Sequence, residues 1–470
     1  MIDNNRAYSL DALRGYAIVT MVLASQIASG ILPAWMYHCQ EPPPSHAFNG
    51  AIYGITWVDL VFPFFLFAMG AAFPLSLGKK FYKGMSKYTL AWHSVERGIK
   101  LTFFAIFIQH MYPYSISNPQ DPRAWILAII AFALMFLMFM QLPIKMPNWG
   151  HRLVEYGAYA IGIFMMLNID YVDSKPFSLS YSNIIILVLA NMALFGSLVY
   201  IFTIKNWIAR IAVLPFVMAV FLGSATEGSW VGSVMNFSPL PWMYQFRFLK
   251  YLFIVLPGSV IGEYLMQWMA ERKEKGTERT EREKKITPIL LLLSVFIIVF
   301  NLYGLFTRQL VLNLFVTIAT LAVFFGLLRN RSVNLDFWNK LFVAGAYLLM
   351  LGLFFEAYEG GIRKDSSTFS YYFVTSGLAC FALMGFSIMC DVYKWRRAMA
   401  PLVMSGQNPM IAYVASGLLI MPLFNLLGIA DYLHYLETNP WLGVLRGFVM
   451  TSFAVMVAMF FTKIKWFWRT

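Results

Sequence analysis

Thr56-Trp-Val-Asp59-Leu-Val-Phe-Pro63-Phe-Phe-Leu-Phe-Ala-Met-Gly70 carries one charged side chain, Asp59, and its apolar character continues to about residue 78. A helix needs roughly 20 such residues to cross the hydrocarbon core of a bilayer. Runs of similar length recur along the 470-residue chain, which is 59% hydrophobic, 17% aromatic and only 13% charged. Soluble domains carry about 25% charged residues. Backbone amides and carbonyls in lipid must be paired within the protein, so the runs read as helices. The alternating ten-residue strands of a membrane barrel are absent from the pattern.

The fold class expected is therefore all-α, a polytopic membrane helical bundle with about 14 transmembrane helices and a range of 10 to 14. The spans fall at 11–32, 56–78, 97–113, 123–142, 151–170, 183–204, 206–224, 248–269, 286–304, 308–328, 341–357, 371–390, 402–427 and 442–462. Lys and Arg concentrate in every second connection, among them Lys79/Lys80/Lys83, Lys205/Arg210 and Lys394/Arg396/Arg397. This is the positive-inside pattern; it puts both termini in the cytoplasm and assigns the net charge of +13 to the membrane rather than to nucleic acid. One integral-membrane domain covers 1–470: helices with the polar island at 1–269, a charged cytosolic linker at 270–285, and C-terminal helices at 286–470. The mixed charges of that linker read as a helical or frayed, solvated connection between the two halves. Cys39, Cys380 and Cys390 have neither metal-ligand spacing nor an even count, so no metal and no disulfide framework is expected. The first apolar run lacks a small-residue cleavage site and reads as a retained helix.

Just before the opening stretch lies a polar island, His46-Ala-Phe-Asn49-Gly50. An ionisable pair, His46 and Asp59, at the mouth of an apolar span is costly to bury and is a functional candidate for that reason. Three further stretches extend the pattern: Tyr8-Ser-Leu-Asp11-Ala-Leu-Arg14-Gly15, Gly406-Gln-Asn408-Pro-Met-Ile-Ala-Tyr413 and Lys463-Ile-Lys465-Trp-Phe-Trp-Arg469. Taken together and in order, these motifs resemble the heparan-alpha-glucosaminide N-acetyltransferase-like family of transmembrane acyltransferases. Two departures from that pattern stand out: three extra residues separate His46 from Asp59, and Ser25-Gln26 stands where the family has an asparagine.

The resemblance implies an acetyltransferase that takes acetyl from cytosolic acetyl-CoA, its co-substrate, and places it on a glucosamine-type amino sugar at the opposite face. It implies His46 as the catalytic histidine, Asp59 beside it, and a possible homodimer. A histidine suits general-base work because its ordinary pKa lies near neutrality. Both a base acting in a ternary complex and a transiently acetylated imidazole fit His46. An aspartate within hydrogen-bond reach would fix its tautomer, although a carboxylate at a helix start is also favoured by the helix dipole. Asp11 and Arg14 share one face of the first helix turn, where Arg14 would hold a phosphate of the cofactor or merely anchor the helix. Arg97 is the second cationic candidate for that cofactor. Asn408 is read either as a contact to the acyl arm or as a helix cap. Asn49 and Asp11 are the candidate acceptor contacts. Other classes remain open: an O-acyltransferase of cell-surface or periplasmic glycans, and a proton-coupled sugar transporter using Glu263, Glu356 or Glu359. The flanks point to a bacterial inner membrane.

Overall fold

The computed structural model describes residues 6–27, 30, 32–140, 143, 147–276, 278–329, 332–437 and 439–468. All of the regular structure among them is helical, apart from an isolated bridge between Met140 and Trp468. In chain order the long helices are α1 (Tyr8–Gln26), α2 (Trp57–Tyr82), α3 (Lys87–Met111), α4 (Pro122–Phe139), α5 (Asn148–Asn168), α6 (Ile184–Phe202), α7 (Trp207–Gly223) and α8 (Phe246–Lys275). They continue as α9 (Glu281–Phe306), α10 (Leu310–Leu327), α11 (Val333–Glu359), α12 (Phe369–Val392), α13 (Arg396–Gln407), α14 (Pro409–Leu426) and α15 (Pro440–Lys463). Ten of these are long and apolar enough to cross a membrane: α2, α4, α6, α8, α9, α10, α11, α12, α14 and α15. The protein is thus a multi-pass membrane protein. The other four expected spans are also helical, but α1, α3 and α5 carry more polar residues and α7 is shorter.

Two boundaries differ from the sequence expectation. The first helix stops at Gln26 rather than 32, because Ile27, Leu32 and Met36 turn aside to pack with Leu23, Tyr37 and Trp57 as a small separate cluster. The expected span 402–427 is broken at Asn408, whose non-helical backbone (φ −133°, ψ 55°) separates α13 from α14. The linker is helical up to Lys275 and again from Glu281. Glu283 is buried and accepts from Ser332 Oγ at 2.9 Å and Asn334 Nδ2 at 2.6 Å.

The bundle is built around α2 and α12, whose apolar residues are almost entirely buried, whereas α9, α10 and α15 leave much of their surface exposed for lipid. Helices in lipid gain little from hydrophobic exclusion and associate through close backbone approach at small residues. Gly15 of α1 and Gly406 of α13 meet in this way: a Cβ on Gly15 would stand 1.7 Å from the Leu402 carbonyl oxygen, and one on Gly406 1.9 Å from that of Asp11. The contact fixes the start of α1, with Arg14, against the junction at Asn408.

Candidate functional site

The capping of α2 places the first site residue. Thr56 is the N-cap and Asp59 the N3 residue of a capping box, with the Thr56 amide donating to Asp59 Oδ2 at 2.9 Å. The Cys39 amide donates to the same oxygen at 3.3 Å. The other oxygen, Oδ1, lies 2.8 Å from Nδ1 of His38. Asp59 is only 2% exposed, while His38 opens onto a cavity. A buried carboxylate accepting a hydrogen bond from Nδ1–H leaves Nε2 as the basic nitrogen, the arrangement used by catalytic His–Asp pairs.

His38 was not among the residues singled out from the sequence, which paired Asp59 with His46. The structure makes a different pair. His46 faces the same cavity, but its Nε2 lies 3.2 Å from the Gly30 carbonyl and its ring packs edge-on against Tyr37 at 4.5 Å. Its φ of 50° is in the left-handed region, which a non-glycine residue adopts at a cost. The signal for His38 was slight: a histidine 21 positions before Asp59, in a loop whose path no local pattern predicts.

The cavity at this end of the bundle measures about 630 Å³ and also receives Glu41, Gln26, Tyr112, Tyr114 and Lys364. The Lys364 ammonium stands 3.1 Å from His38 Nδ1 and 4.0 Å from Asp59 Oδ1. Burial, reinforced by the Asp59 carboxylate, pushes the neighbouring Cys39 thiol up to about 12, which rules it out as a thiolate nucleophile near neutrality.

A second cavity, about 590 Å³, opens at the other end of α1 and α2. Its charged lining is mostly basic: Arg14, Lys80, Arg97 and Lys100 against Glu96. Lys100 is held by Glu96 at 3.0 Å and Glu155 at 2.8 Å. Arg14 lies 3.7 Å from Asp11 and donates to the Gly406 carbonyl at 3.2 Å. Arg97 Nε is buried with no hydrogen-bond partner among the described residues, and Arg14 and Arg97 repel one another across this space. Such an arrangement suits an anion with several oxygens.

Between the two lies a narrow apolar neck. Met21, Phe62, Ile185 and Tyr413 line both the neck and the His38 cavity, while Phe65, Leu189, Pro409 and Met410 line both the neck and the basic cavity. Its free volume is only about 20 Å³. From Arg14 to Gln26 along α1 is about 18 Å at 1.5 Å per residue, the distance a slender arm would cover.

The remaining expected residues take other places. Asn408 is buried and commits its side chain to the C-terminal tail, donating to the Trp466 carbonyl at 2.7 Å and accepting the Trp468 amide at 3.3 Å. It braces the basic cavity through Trp468, which lines it. Asp11 sits at the basic end, bonded to Arg6 at 2.6 Å, and so is far from the His38 cavity where an acceptor contact was expected. Asn49 is exposed, and its Oδ1 accepts the Ala51 amide at 3.0 Å. No group of His, Cys, Asp and Glu among the described residues could hold a metal ion.

Fold and cavities define a multi-pass helical membrane protein with a two-ended internal site. Residues 6–265, more than half of the chain, match the family model described as Domain of unknown function (DUF5009), and the chain belongs to that family. The matched region includes His38, His46, Asp59, Arg14 and Arg97 but not Lys364, Asn408 or Trp468. No curated protein matches the chain.

Proposed function

We propose that the protein is a transmembrane acyl-CoA-dependent N-acetyltransferase, moving acetyl from cytosolic acetyl-CoA to a glucosamine-type amino sugar at the opposite face. The observation that carries this reading is the pairing of a basic cavity with a His–Asp cavity, separated by a narrow apolar neck of about 20 Å³ whose side chains part to admit a slender arm. In this reading Arg14 and Arg97 take the phosphates, the pantetheine arm lies in the neck, and the thioester reaches His38. The basic cavity then faces the cytosol, in keeping with the positive-inside distribution, fourteen membrane crossings and both termini inside. The host membrane in this reading is the bacterial inner membrane.

The acceptor enters from the other side. Glu41 lining that cavity favours an amino group bound as its cation; the cation releases one proton to solvent, the neutral nitrogen attacks the carbonyl carbon, and His38, oriented by Asp59, takes the second proton. The family resemblance gives this role to His46, whereas the hydrogen-bond geometry supports His38. His46 stands close enough in the same cavity to position the acceptor. The carboxylates that a proton-coupled transporter would draw on are engaged elsewhere: Glu263 with Arg210 at 2.7 Å, Glu356 with Arg308 at 2.6 Å, and Glu359 with the amides that open α12.

The deciding experiment incubates purified protein with isotopically labelled acetyl-CoA and a panel of amino sugars, followed by mass spectrometry. Labelled N-acetyl sugar supports the reading, and an alkali-labile ester product would shift it to O-acylation. Ile185→Trp, which fills the neck, should retain binding of CoA and lose transfer. Product formed at the parental rate by that variant would sink the threaded arrangement.

A further inference from the structure

The loop joining α11 to α12 lies outside the family-matched residues, yet it is bound tightly to the loop that carries His38 and His46. The Gly54 amide donates to the Ile362 carbonyl at 2.8 Å, and Arg363 Nη1 donates to the Gly50 carbonyl at 3.0 Å. The Asp365 amide donates to Gln40 Oε1 at 2.9 Å, and Gln40 Nε2 returns a bond to the Asp365 carbonyl. Gly361, at φ 152°, packs where a Cβ would strike the Tyr53 ring. From below, Tyr371 Oη donates to the backbone carbonyl of Asp59 at 2.8 Å, so α12 is tied to the dyad as well. Contacts on both sides of residue 364 hold its backbone in place and so aim one side chain toward the cavity.

That side chain is Lys364, 3.1 Å from His38 Nδ1 and 3.4 Å from Nε2. Nδ1 has one bonding direction in the ring plane, and Asp59 Oδ1 at 2.8 Å takes it. The ammonium's hydrogens are therefore left for His38 Nε2 at 3.4 Å, for the 4.0 Å neighbour Asp59 Oδ1, and for an oxygen that enters the cavity. The charged and titratable groups that share the cavity with it include His38, Glu41 and His46, with Asp59 behind His38.

Resting on the transferase reading, we propose that Lys364 is a catalytic residue that holds the oxyanion formed from the thioester carbonyl. A neutral amine of the acceptor attacks the carbonyl carbon, and the C=O π pair moves to oxygen, where Lys364 meets the developing charge. Collapse re-forms the carbonyl and breaks the C–S bond. The amine's proton passes through His38 Nε2 to the leaving sulfur, giving an amide and the free thiol. A fixed cation at the oxygen next to the base is what such a step requires, since preorganised charge acts without reorganisation cost. In this arrangement the helices beyond the matched region deliver the cation to the site.

The test compares the full-length parent with Lys364→Met and Lys364→Arg, reading kcat, KM for both substrates, binding of CoA and melting temperature in detergent. Removing one oxyanion donor typically lowers kcat 10²–10³-fold. Lys364→Met should show a loss on that scale with CoA binding, both KM values and melting temperature unchanged, and Lys364→Arg should recover part of it. A folded Lys364→Met variant turning over within about threefold of the parent overturns the inference while leaving the transferase reading intact. Should Lys364→Met not fold, Lys364→Gln against Lys364→Arg decides, and equal rates for the two overturn it. A parent that forms no product refutes both readings.

Discussion

Asp59 divides its carboxylate between two partners: Oδ1 meets Nδ1 of His38 at 2.8 Å, and Oδ2 receives the amide of Thr56 at 2.9 Å. One buried side chain thereby both starts α2 and orients an imidazole that faces the cavity. Capping the helix and holding the imidazole use different oxygens of the one carboxylate, so the two readings of Asp59 are geometrically compatible. The arrangement also couples the position of the histidine to the integrity of the helix end.

Replacing His38 with Gln should lower product formation about 10²–10⁴-fold, the usual contribution of a positioned base, with little change in CoA affinity. Asp59→Asn should lower turnover and also cost about 1 kcal/mol of stability, because the capping box is weakened. His46→Gln run alongside, assayed with labelled acetyl-CoA, decides between the two histidines. If His46→Gln is inert and His38→Gln fully active, the base is wrongly assigned.

At the other end, Arg97→Gln should weaken CoA binding about tenfold, the order expected for losing a charge-assisted hydrogen bond. Isothermal titration with CoA and with dephospho-CoA tells which phosphate is involved. Unchanged affinity for both would remove Arg97 from the site.

Trp468 lines the basic cavity with its indole nitrogen buried and without a hydrogen-bond partner among the described residues. Its ring is wedged among aromatic residues, including Phe136 at 5.0 Å. Trp468→Phe keeps most of that packing and removes the donor. We expect CoA affinity to fall a few-fold, in line with about 1 kcal/mol for a neutral hydrogen bond, with no change in melting temperature.

Cys39 gives a pH-dependent readout of the closed loop. Its folded pKa lies at about 12 against an ordinary 9, so the folded state favours the protonated thiol. The stabilisation that this provides is complete below about pH 9 and is lost as pH rises toward 12. In a Cys380→Ala, Cys390→Ala background, maleimide at pH 8 should leave Cys39 unlabelled until denaturant is added. Rapid labelling of the native protein would show that the loop opens.

Gly406→Val would push a branched side chain onto the Asp11 carbonyl, where a Cβ alone already stands 1.9 Å away. Backbone cannot give way as a side-chain tip does, so the loss should be at least the 1–3 kcal/mol typical of overpacking. Fluorescence-detected size exclusion in detergent should show less monodisperse protein.

Much of the bundle was legible because its signals are local. Each of the fourteen apolar runs overlaps helix among the described residues, and ten of those helices are long and apolar enough to cross a membrane, since length and composition make a segment choose internal hydrogen bonds in lipid. Asp59 was recognisable from its place at a helix start, and Arg14 and Arg97 from their place at basic helix ends. The break at Asn408 and the early stop at Gln26 were not legible, because tail packing against Asn408 and the Ile27–Met36 cluster decide them. Nor was His38, whose loop takes a path set by contacts with residues 362–365.

Composition and periodicity by themselves determined that this chain enters a membrane as helices, and where one polar island interrupts it. Only the tertiary structure decided which histidine meets Asp59, that Lys364 arrives beside them, and that two cavities share an apolar neck. The reason is one of range: helix formation is settled within a few turns of chain, whereas a hydrogen bond between His38 and Asp59 or a cation supplied more than three hundred residues away depends on how finished helices pack.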